Sequence, residues 1–451
     1  MTEPELKRNL GLTSAVMITV GSVIGSGIFM KPYAVAQALP GVEWVYGLWI
    51  GLGLICLCGA FAYGELGAMF PEAGGQYAFL REGWGRGVGF LYGWVLLLVI
   101  NTGTLAALAV AFASFFDRLV PLGEWGQGFL AVGMILALAI TNHFGVGWGA
   151  LLQNLSTFAK LIALGGIVVA GFFLGNVEAG AAVAAVPPSH DLGSGVVLAA
   201  IAIFWAYEGW YQLPFNAAEL RNPSRDLPRG LIYGIAILVL TYLLVNAVYL
   251  HVVPLDEMRS FTSNEQVPVT AIERIFGTAS GGWLSALICL SVLGSANPNL
   301  LSSPRAFYAM AKDGLALRAM TRVHPVHATP TFAIWSQALW AAALVIVLKT
   351  FDDLTNYVVF SSLLFYALTV LAVVRLRRTA PQRERPYRCW GYPITPYAFA
   401  LVALAVDVQM LFEAEARKNA LLGLLILAAG FPVYAWIQRR ERLAARGSRP
   451  S

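Results

Sequence analysis

The sequence predicts an all-α membrane protein with twelve transmembrane helices, in which two five-helix repeats of opposite orientation are followed by two further helices. Three observations lead to this prediction: the composition, the number of long apolar stretches, and a break in the first and in the sixth of them. Of the 451 residues, 58% are apolar and only 12% are charged, whereas soluble domains carry about 25% charged residues. This composition is that of a polytopic membrane protein.

Twelve stretches are long enough to cross the hydrocarbon core, which takes about 20 apolar residues. They lie approximately at residues 11–35, 42–69, 87–117, 127–145, 151–174, 195–217, 228–252, 281–303, 331–349, 354–375, 395–415 and 419–437. The whole chain, 1–451, is therefore predicted to be a single transmembrane domain. The first stretch is too long for the apolar region of a signal peptide, so no cleavage is expected.

Two of these stretches contain residues that interrupt a membrane helix. The first contains GSVIGSGIF, residues 21–29, and the sixth contains FWAYEGW, residues 204–210. Backbone that is unpaired at mid-depth must face protein, water or a ligand. Broken helices in corresponding positions of two halves are the best sequence indication of the binding site in a secondary transporter.

The stretches divide as five, five and two. The first repeat spans 11–174, the second spans 195–378, and the last two helices span 395–437. Because each repeat has an odd number of spans, the second repeat enters the membrane from the opposite side, as an inverted repeat requires.

The net charge of +5 and the pI of about 9.0 could suggest binding to nucleic acid. With the N-terminus inside, however, most of the 30 Lys and Arg residues fall on the cytoplasmic side, for example in segments 220–230 and 375–388. This distribution follows the positive-inside rule and predicts that both termini are cytoplasmic. We therefore expect membrane lipids as partners and no nucleic acid.

The four cysteines give no sign of a disulfide framework. Cys56, Cys58 and Cys289 fall within spans and Cys389 falls in a cytoplasmic loop. No cysteine lies in an external loop, so no disulfide-linked accessory subunit is expected. Cys56 and Cys58 would point about 200° apart on a helix, which argues against a metal site. Neither a metal nor a cofactor is predicted.

Four stretches carry a resemblance to a known family. They are VGSVIGSGIFMKP (20–32), AYGELGAMFPEAGGQYAFL (62–80), IFWAYEGWYQLPFNAAELRNPSRDLPRG (203–230) and RPYRCWGYPITP (385–396). Together with the span count, they resemble bacterial members of the amino acid–polyamine–organocation (APC) superfamily, in particular relatives of the L-amino-acid transporters. The resemblance implies the LeuT-type 5+5 inverted repeat, with helices 1 and 6 broken and helices 11 and 12 added, in the cytoplasmic (inner) membrane of a bacterium.

The first break supplies five candidate substrate-binding residues, namely Val23, Ile24, Gly25, Ser26 and Gly27. Unwinding at Gly25-Ser26-Gly27 leaves amide donors at the positive end of the following helix, where a carboxylate fits. Carbonyls around Val23 can accept from an ammonium group, so one break could bind both groups of an α-amino acid. The resemblance identifies this stretch with the family's α-carboxylate site. The alternative is that the glycines only permit close helix packing.

The second break adds Phe204, Trp205, Tyr207 and Glu208 as candidates. The resemblance implies that carbonyls near Trp205 and Glu208 help to hold the substrate amine, and that Trp205 is a gate above the substrate. The alternative for Trp205 is a core or lipid-facing aromatic. A carboxylate near the bilayer centre should face a cavity or a partner. Glu208 could attract a cationic side chain, take up a coupled proton, or pair with a neighbouring donor.

Lys160 lies nine residues into the fifth stretch, about 13 Å from its cytoplasmic end. A lysine side chain extends over about half of that distance, so the head group is expected to stay within the bundle. The resemblance implies that a lysine on this helix substitutes for a sodium ion and bridges helices 1 and 8, the latter through Ser291 and Ser295. Added sodium would then be unnecessary. The alternatives are an ion pair, for instance with Glu208, and a snorkelling side chain.

Other polar residues carry weaker signals. Asn101 in the third stretch could line the pocket or join helices. Glu65 and Glu219, near cytoplasmic helix ends, could pair with arginines as an inner gate. The C-terminal tail beyond Trp436 is basic and is expected to be disordered.

Taken together, these features predict a secondary transporter that moves L-amino acids by alternating access, through sodium-independent exchange of neutral substrates. A proton-coupled or cationic amino acid or polyamine antiporter and a non-transporting amino acid sensor are the alternatives. An enzyme is not expected, because the five histidines fall in loops or at span ends and form no intramembrane catalytic set.

Overall fold

The computed structural model describes residues 8–72, 74–144, 146–175, 186–324 and 329–447. Within these ranges the regular structure is helical, and a single isolated bridge pairs Leu10 with Leu220. The helices in chain order are α1 (Leu12–Val23), α2 (Gly27–Ala38), α3 (Val42–Met69), α4 (Gln76–Trp84), α5 (Arg86–Val95), α6 (Asn101–Asp117), α7 (Gly123–His143), α8 (Val146–Leu174), α9 (Leu192–Ala206), α10 (Gln212–Phe215), α11 (Pro223–Val252), α12 (Leu255–Ser260), α13 (Gln266–Phe276), α14 (Ser280–Leu301), α15 (Pro304–Lys312), α16 (Thr331–Leu348), α17 (Phe351–Thr379), α18 (Ile394–Met410) and α19 (Ala414–Gly447).

Among the described residues, nine helices are long and apolar enough to span a membrane, or ten if the bent pair α1 and α2 counts as one span. A π-helical segment, Leu96–Ile100, joins α5 to α6 within one of these spans. The sixth and eleventh predicted stretches form the shorter apolar helices α9 and α18, of 15 and 17 residues. The prediction of an all-α membrane protein is therefore confirmed.

Both predicted breaks are present. Helix α1 ends at Val23 and α2 begins at Gly27, with a bend of 46° between them. Helix α9 ends at Ala206, and after five residues only the four-residue helix α10 follows. The sixth stretch, predicted over 195–217 with an interruption inside it, is thus divided into α9 and α10, and Gly209 between them takes a φ of +119° that a helix does not accommodate.

The two breaks lie against each other. A Cβ at Gly27 would lie 2.4 Å from Cα of Ala206, and a Cβ at Gly209 would lie 2.6 Å from the carbonyl oxygen of Ser22. Only glycine permits backbones to approach this closely. The sequence thus brings the ends of four half-helices to one place inside the bundle.

The expectation of a disordered C-terminal tail is wrong up to Gly447, where α19 ends, and the rest of the tail lies outside the described residues. Arg86 pairs with Glu441 at 2.8 Å, and this contact holds the last turns of α19 against α5. The basic residues of the tail are visible in the sequence, but the contact of Glu441 with Arg86 is not, because the two residues lie 355 positions apart.

Helices α3, α10 and α17 end on the same side of the bundle, and α11 and α18 begin there. We call this side the basic end, because it carries a set of exposed arginines: Arg221, Arg229, Arg375, Arg378 and Arg388. The other side, where α2 ends and α17 begins, is called the opposite end.

Candidate functional site

The first break leaves backbone donors free at the start of α2. Ile24 leaves the helical conformation, with φ −69° and ψ 88°. The carbonyl of Ser26 then accepts from the amide of Met30 at 2.8 Å, and α2 begins. Among the hydrogen bonds of the described chain, none is donated by the amides of Gly25, Ser26 or Gly27. Three buried donors therefore converge at the positive end of a helix, which is an arrangement that binds a carboxylate.

The carbonyl side of the same break is occupied by Lys160. Its ammonium donates to the carbonyls of Gly21 at 2.8 Å and Ile24 at 2.6 Å, and to Ser295 Oγ at 2.9 Å. The carbonyl of Ser291 lies at 3.3 Å. Ser295 Oγ also donates to Ile24 at 2.6 Å, so α14 reaches the same carbonyl. A buried charge needs compensation of this kind, and here four oxygen atoms of α1 and α14 provide it.

Side-chain hydroxyls join the two breaks. Tyr242 of α11 donates to the carbonyls of Ala206 at 2.9 Å and Val23 at 3.3 Å. Ser22 Oγ donates to the carbonyl of Gly209 at 3.1 Å. Carbonyls at the ends of α1 and α9 thus share one donor, so displacement of one break would disturb the other.

The carbonyl of Phe204, at the start of the second break, has no donor among the described residues. The amide of Tyr207 bonds to Ile203 and the amide of Glu208 bonds to Trp205, so the turn skips the carbonyl of Phe204. No other described residue donates to it. The sequence led us to expect the ammonium acceptor around Val23, but that carbonyl already faces Tyr242.

Trp205 lies across the first break. Its indole Nε1 donates to Ser26 Oγ at 3.4 Å, and its ring meets Phe351 of α17 edge to face, with centroids 5.8 Å apart. The indole is buried. This position excludes the lipid-facing alternative and places the ring between the first break and the opposite end.

An ion pair lies beyond Trp205, towards the opposite end. Lys31 of α2 donates to Asp352 at 2.7 Å and to Thr355 at 2.9 Å, and its ammonium sits 4.7 Å from the Phe351 ring centroid. Asn264 also donates to Asp352. This pair was not expected from the sequence, although a lysine inside the second half of a broken helix was a visible signal.

Glu208 has partners on α17. Its Oε1 accepts from Tyr366 at 2.8 Å and from Ser362 at 3.0 Å, and the residue is buried. Glu208 and Lys160 bond to different partners, so the ion pair considered from the sequence is wrong. Pairing with a neighbouring donor, another of the expectations, is confirmed.

Two of the expected contact residues have side chains engaged elsewhere. Asn101 donates to the carbonyl of Asn299 at 2.9 Å and to Gln337, so it joins α6 to α14 and α16. The hydroxyl of Tyr207 donates to the carbonyl of Trp49 at 3.2 Å, on α3. Because its hydroxyl is engaged, Tyr207 can form hydrogen bonds to a ligand only through its backbone in this arrangement.

Comparisons with known proteins identify the family. The sequence model of the amino acid permease family matches residues 10–427. The chain belongs to the amino acid permease family. It is 31% identical to the serine/threonine exchanger SteT of Bacillus subtilis over 443 residues, which is 97% of this chain and 98% of SteT. It is 31% identical to the human b(0,+)-type amino acid transporter 1 over 85% of this chain and 79% of that protein. It is also 30% identical to the human large neutral amino acids transporter small subunit 2, over 95% and 80%.

This membership confirms that the chain is an APC-type amino acid transporter of a membrane and not an enzyme. The family resemblance read from the four stretches is thus confirmed as well. Further polar contacts of the permease lie between the breaks and the basic end.

A ladder of three polar pairs connects the second break to α14 and α15. The pairs are Gln212 with Asn299 at 3.0 Å, Asn216 with Ser302 at 3.0 Å, and Glu219 with Arg305. Of these residues only Glu219 was expected from the sequence, although the polar residues recur at spacings of three or four on both segments. Such a recurrence is the signal of two facing helical surfaces.

Glu65 of α3 forms another charged contact at the basic end. It pairs with Arg377 at 2.6 Å and with Arg385 at 3.3 Å. The amide of Cys389 also donates to it at 2.7 Å. The expected pairing of Glu65 and Glu219 with arginines is therefore confirmed.

Proposed function

We propose that this permease exchanges neutral L-amino acids across the cytoplasmic membrane of a bacterium, without sodium, by alternating access. The observation that carries the proposal is the first break, where three amides are free and the facing carbonyls are held by Lys160. We further propose the LeuT-type arrangement of twelve helices, with 11–174 and 195–378 as inverted repeats, 395–437 as the last two helices, and both termini in the cytoplasm.

The substrate would lie between the two breaks. Its carboxylate would accept from the amides of Gly25, Ser26 and Gly27, and the hydroxyl of Ser26 can add a donor. Its ammonium would donate to the free carbonyl of Phe204, which belongs to the other break. An α-amino acid would then bridge two helices whose ends are linked, so its binding would favour one relative position of α1, α2 and α9.

Alternating access requires a closure on each side of this site. Trp205 and the Lys31–Asp352 pair would form the closure at the opposite end, which we place outside. The ladder from Gln212 to Arg305 would form the closure at the basic end, which the positive-inside rule places in the cytoplasm. Breaking either set of contacts would open one path to the breaks.

Exchange as the mode of transport is supported by the relative named as a serine/threonine exchanger, which matches nearly the whole chain. The described cysteines are free, and Cys56, Cys289 and Cys389 are buried. We therefore propose that the protein works without a disulfide-linked accessory subunit.

The proposal is tested by uptake of labelled serine, threonine and leucine into sodium-free proteoliposomes. We expect saturable uptake into vesicles preloaded with unlabelled amino acid and little uptake into empty vesicles. Equal uptake into both would exclude obligatory exchange and would favour uniport or proton coupling. Binding without uptake in either would identify a sensor.

Glu208 favours a second candidate function, the exchange of cationic amino acids. Its carboxylate lies four residues after Phe204, at the same break, and has only hydroxyl groups as partners on α17. A cationic side chain entering from the substrate site would offer it a stronger, charge-assisted partner. A polyamine would be drawn by the same carboxylate but would leave the three amides without an anion.

Substituting Glu208→Gln separates the two candidates. If the permease accepts cationic substrates, we expect lysine and arginine to inhibit leucine exchange about tenfold or more weakly in the variant. The reason is that a charge-assisted bond is replaced by a neutral one. Exchange of serine or leucine should change much less. Unchanged inhibition by lysine in Glu208→Gln would remove Glu208 from substrate selection, and the measurement is competition against labelled leucine.

A further inference from the structure

An apolar groove runs along α18 on the outer surface of the bundle. It has a volume of about 620 Å³, and its lining includes Leu371 of α17 and, from α18, Ile394, Tyr397, Ala398, Leu401 and Leu404. Between Ile394 and Leu404 the helix rises about 15 Å, which is half of the hydrocarbon thickness of about 30 Å. The groove therefore has the depth of one leaflet and begins at the basic end.

Two arginines stand at the basic end of this groove. Arg375 and Arg378 follow Leu371 by four and seven residues on α17, so they share its face of the helix. Both are exposed. Arg375 lies 4.9 Å above the ring of Trp84, and Arg378 bonds to no other residue in the described part of the chain. A pair of exposed guanidinium groups thus stands at the basic end of the groove.

We propose that the groove between α17 and α18 binds an anionic phospholipid, with one acyl chain along α18 and the phosphate headgroup on Arg375 and Arg378. A guanidinium matches phosphate oxygens in a two-pronged contact. A zwitterionic lipid offers the same chain but no net charge, so the arginines supply the preference. This lipid site is separate from the transport site. It lies in the cytoplasmic leaflet if the orientation proposed above holds.

The test is lipid retention by the purified full-length protein. The protein in detergent is mixed with phosphatidylglycerol and phosphatidylcholine of identical acyl chains, and native mass spectrometry counts the lipids that stay bound. We expect phosphatidylglycerol to be retained in preference. Arg378→Gln should weaken that retention about fivefold, as expected for one basic side chain at an anionic surface. The control Arg318→Gln removes another exposed arginine, distant in sequence from the groove, and should change nothing.

A second variant tests the acyl chain independently of charge. Ala398→Trp fills the groove and should remove the retained phosphatidylglycerol while both arginines stay in place. Thermal unfolding of each variant shows whether it is folded. Equal retention of the two lipids by the unmodified protein would overturn the proposal, as would retention that survives Ala398→Trp. Loss in Ala398→Trp with no change in Arg378→Gln would overturn the assignment of the headgroup.

Discussion

Replacing Lys160 with alanine is expected to reduce exchange in sodium-free vesicles by about 100-fold. The ammonium donates to two carbonyls of the first break and to Ser295. Leaving a buried acceptor without its donor costs about 1–3 kcal/mol, and each 1.36 kcal/mol is a factor of ten. The loss falls on the break itself, because the carbonyls of Gly21 and Ile24 belong to the turns that present the free amides.

Sodium ions distinguish a substitute for a cation from a merely structural lysine. If Lys160 takes the place of a coordinated cation, the alanine variant leaves a small site lined by carbonyl and hydroxyl oxygens, which are the ligands that hard cations prefer. We then expect added sodium to restore part of the exchange in Lys160→Ala and to have no effect on the unmodified protein. Lys418→Ala, which removes an exposed lysine, is the matched control.

Two results would contradict this assignment. Exchange at the normal rate in Lys160→Ala without sodium would mean that the ammonium is dispensable. A loss that sodium does not relieve, accompanied by a lower unfolding temperature, would make Lys160 a structural residue. The first result would also leave the proposed exchange intact, so the two hypotheses fail separately.

Much of the fold could be predicted because membrane spans depend on local composition. The length of apolar stretches located the helices, and the glycines at 25 and 27 located the first break to within a residue. The end of α9 was also predicted, since the interruption FWAYEGW contains Ala206. The positive φ of Gly209 and the approach of Ser22 from α1 could not be predicted, because they depend on contacts between distant segments. The helical C-terminus was missed for the same reason, since Glu441 meets Arg86 only in the folded chain.

The contacts of the candidate site could likewise be predicted only in part. The contact of Lys160 with α1 and α14 was expected from the resemblance, and the bonds to Ile24 and Ser295 agree with it. The bridging role of Tyr242 was not expected, because its apolar sequence neighbours on α11 do not distinguish it from a core tyrosine. Pairwise contacts between distant helices, such as Lys31 with Asp352, depend on rotation about helix axes that the sequence pattern does not specify.

The approach of the two breaks makes Gly27→Ala the second substitution with a large expected effect. An alanine Cβ would lie 2.4 Å from Cα and 2.9 Å from Cβ of Ala206. Neither Cα nor Cβ can rotate away as the end of a long side chain can, so the clash is relieved only by movement of the backbone. Overpacking of this kind costs about 1–3 kcal/mol, and relief requires α2 and α9 to move apart. That movement would separate the amides of the first break from the carbonyl of Phe204.

We therefore expect Gly27→Ala to lose exchange by at least about tenfold while it still inserts and purifies as a folded protein. Gly51→Ala is the matched control, because a Cβ on that glycine of α3 would meet no atom within 4 Å. The measurement is exchange of labelled leucine in preloaded vesicles, with thermal unfolding in parallel. If both alanine variants transport alike, the substrate does not depend on the contact between the breaks. The proposed bridge of the substrate from the amides of the first break to the carbonyl of Phe204 would then be contradicted.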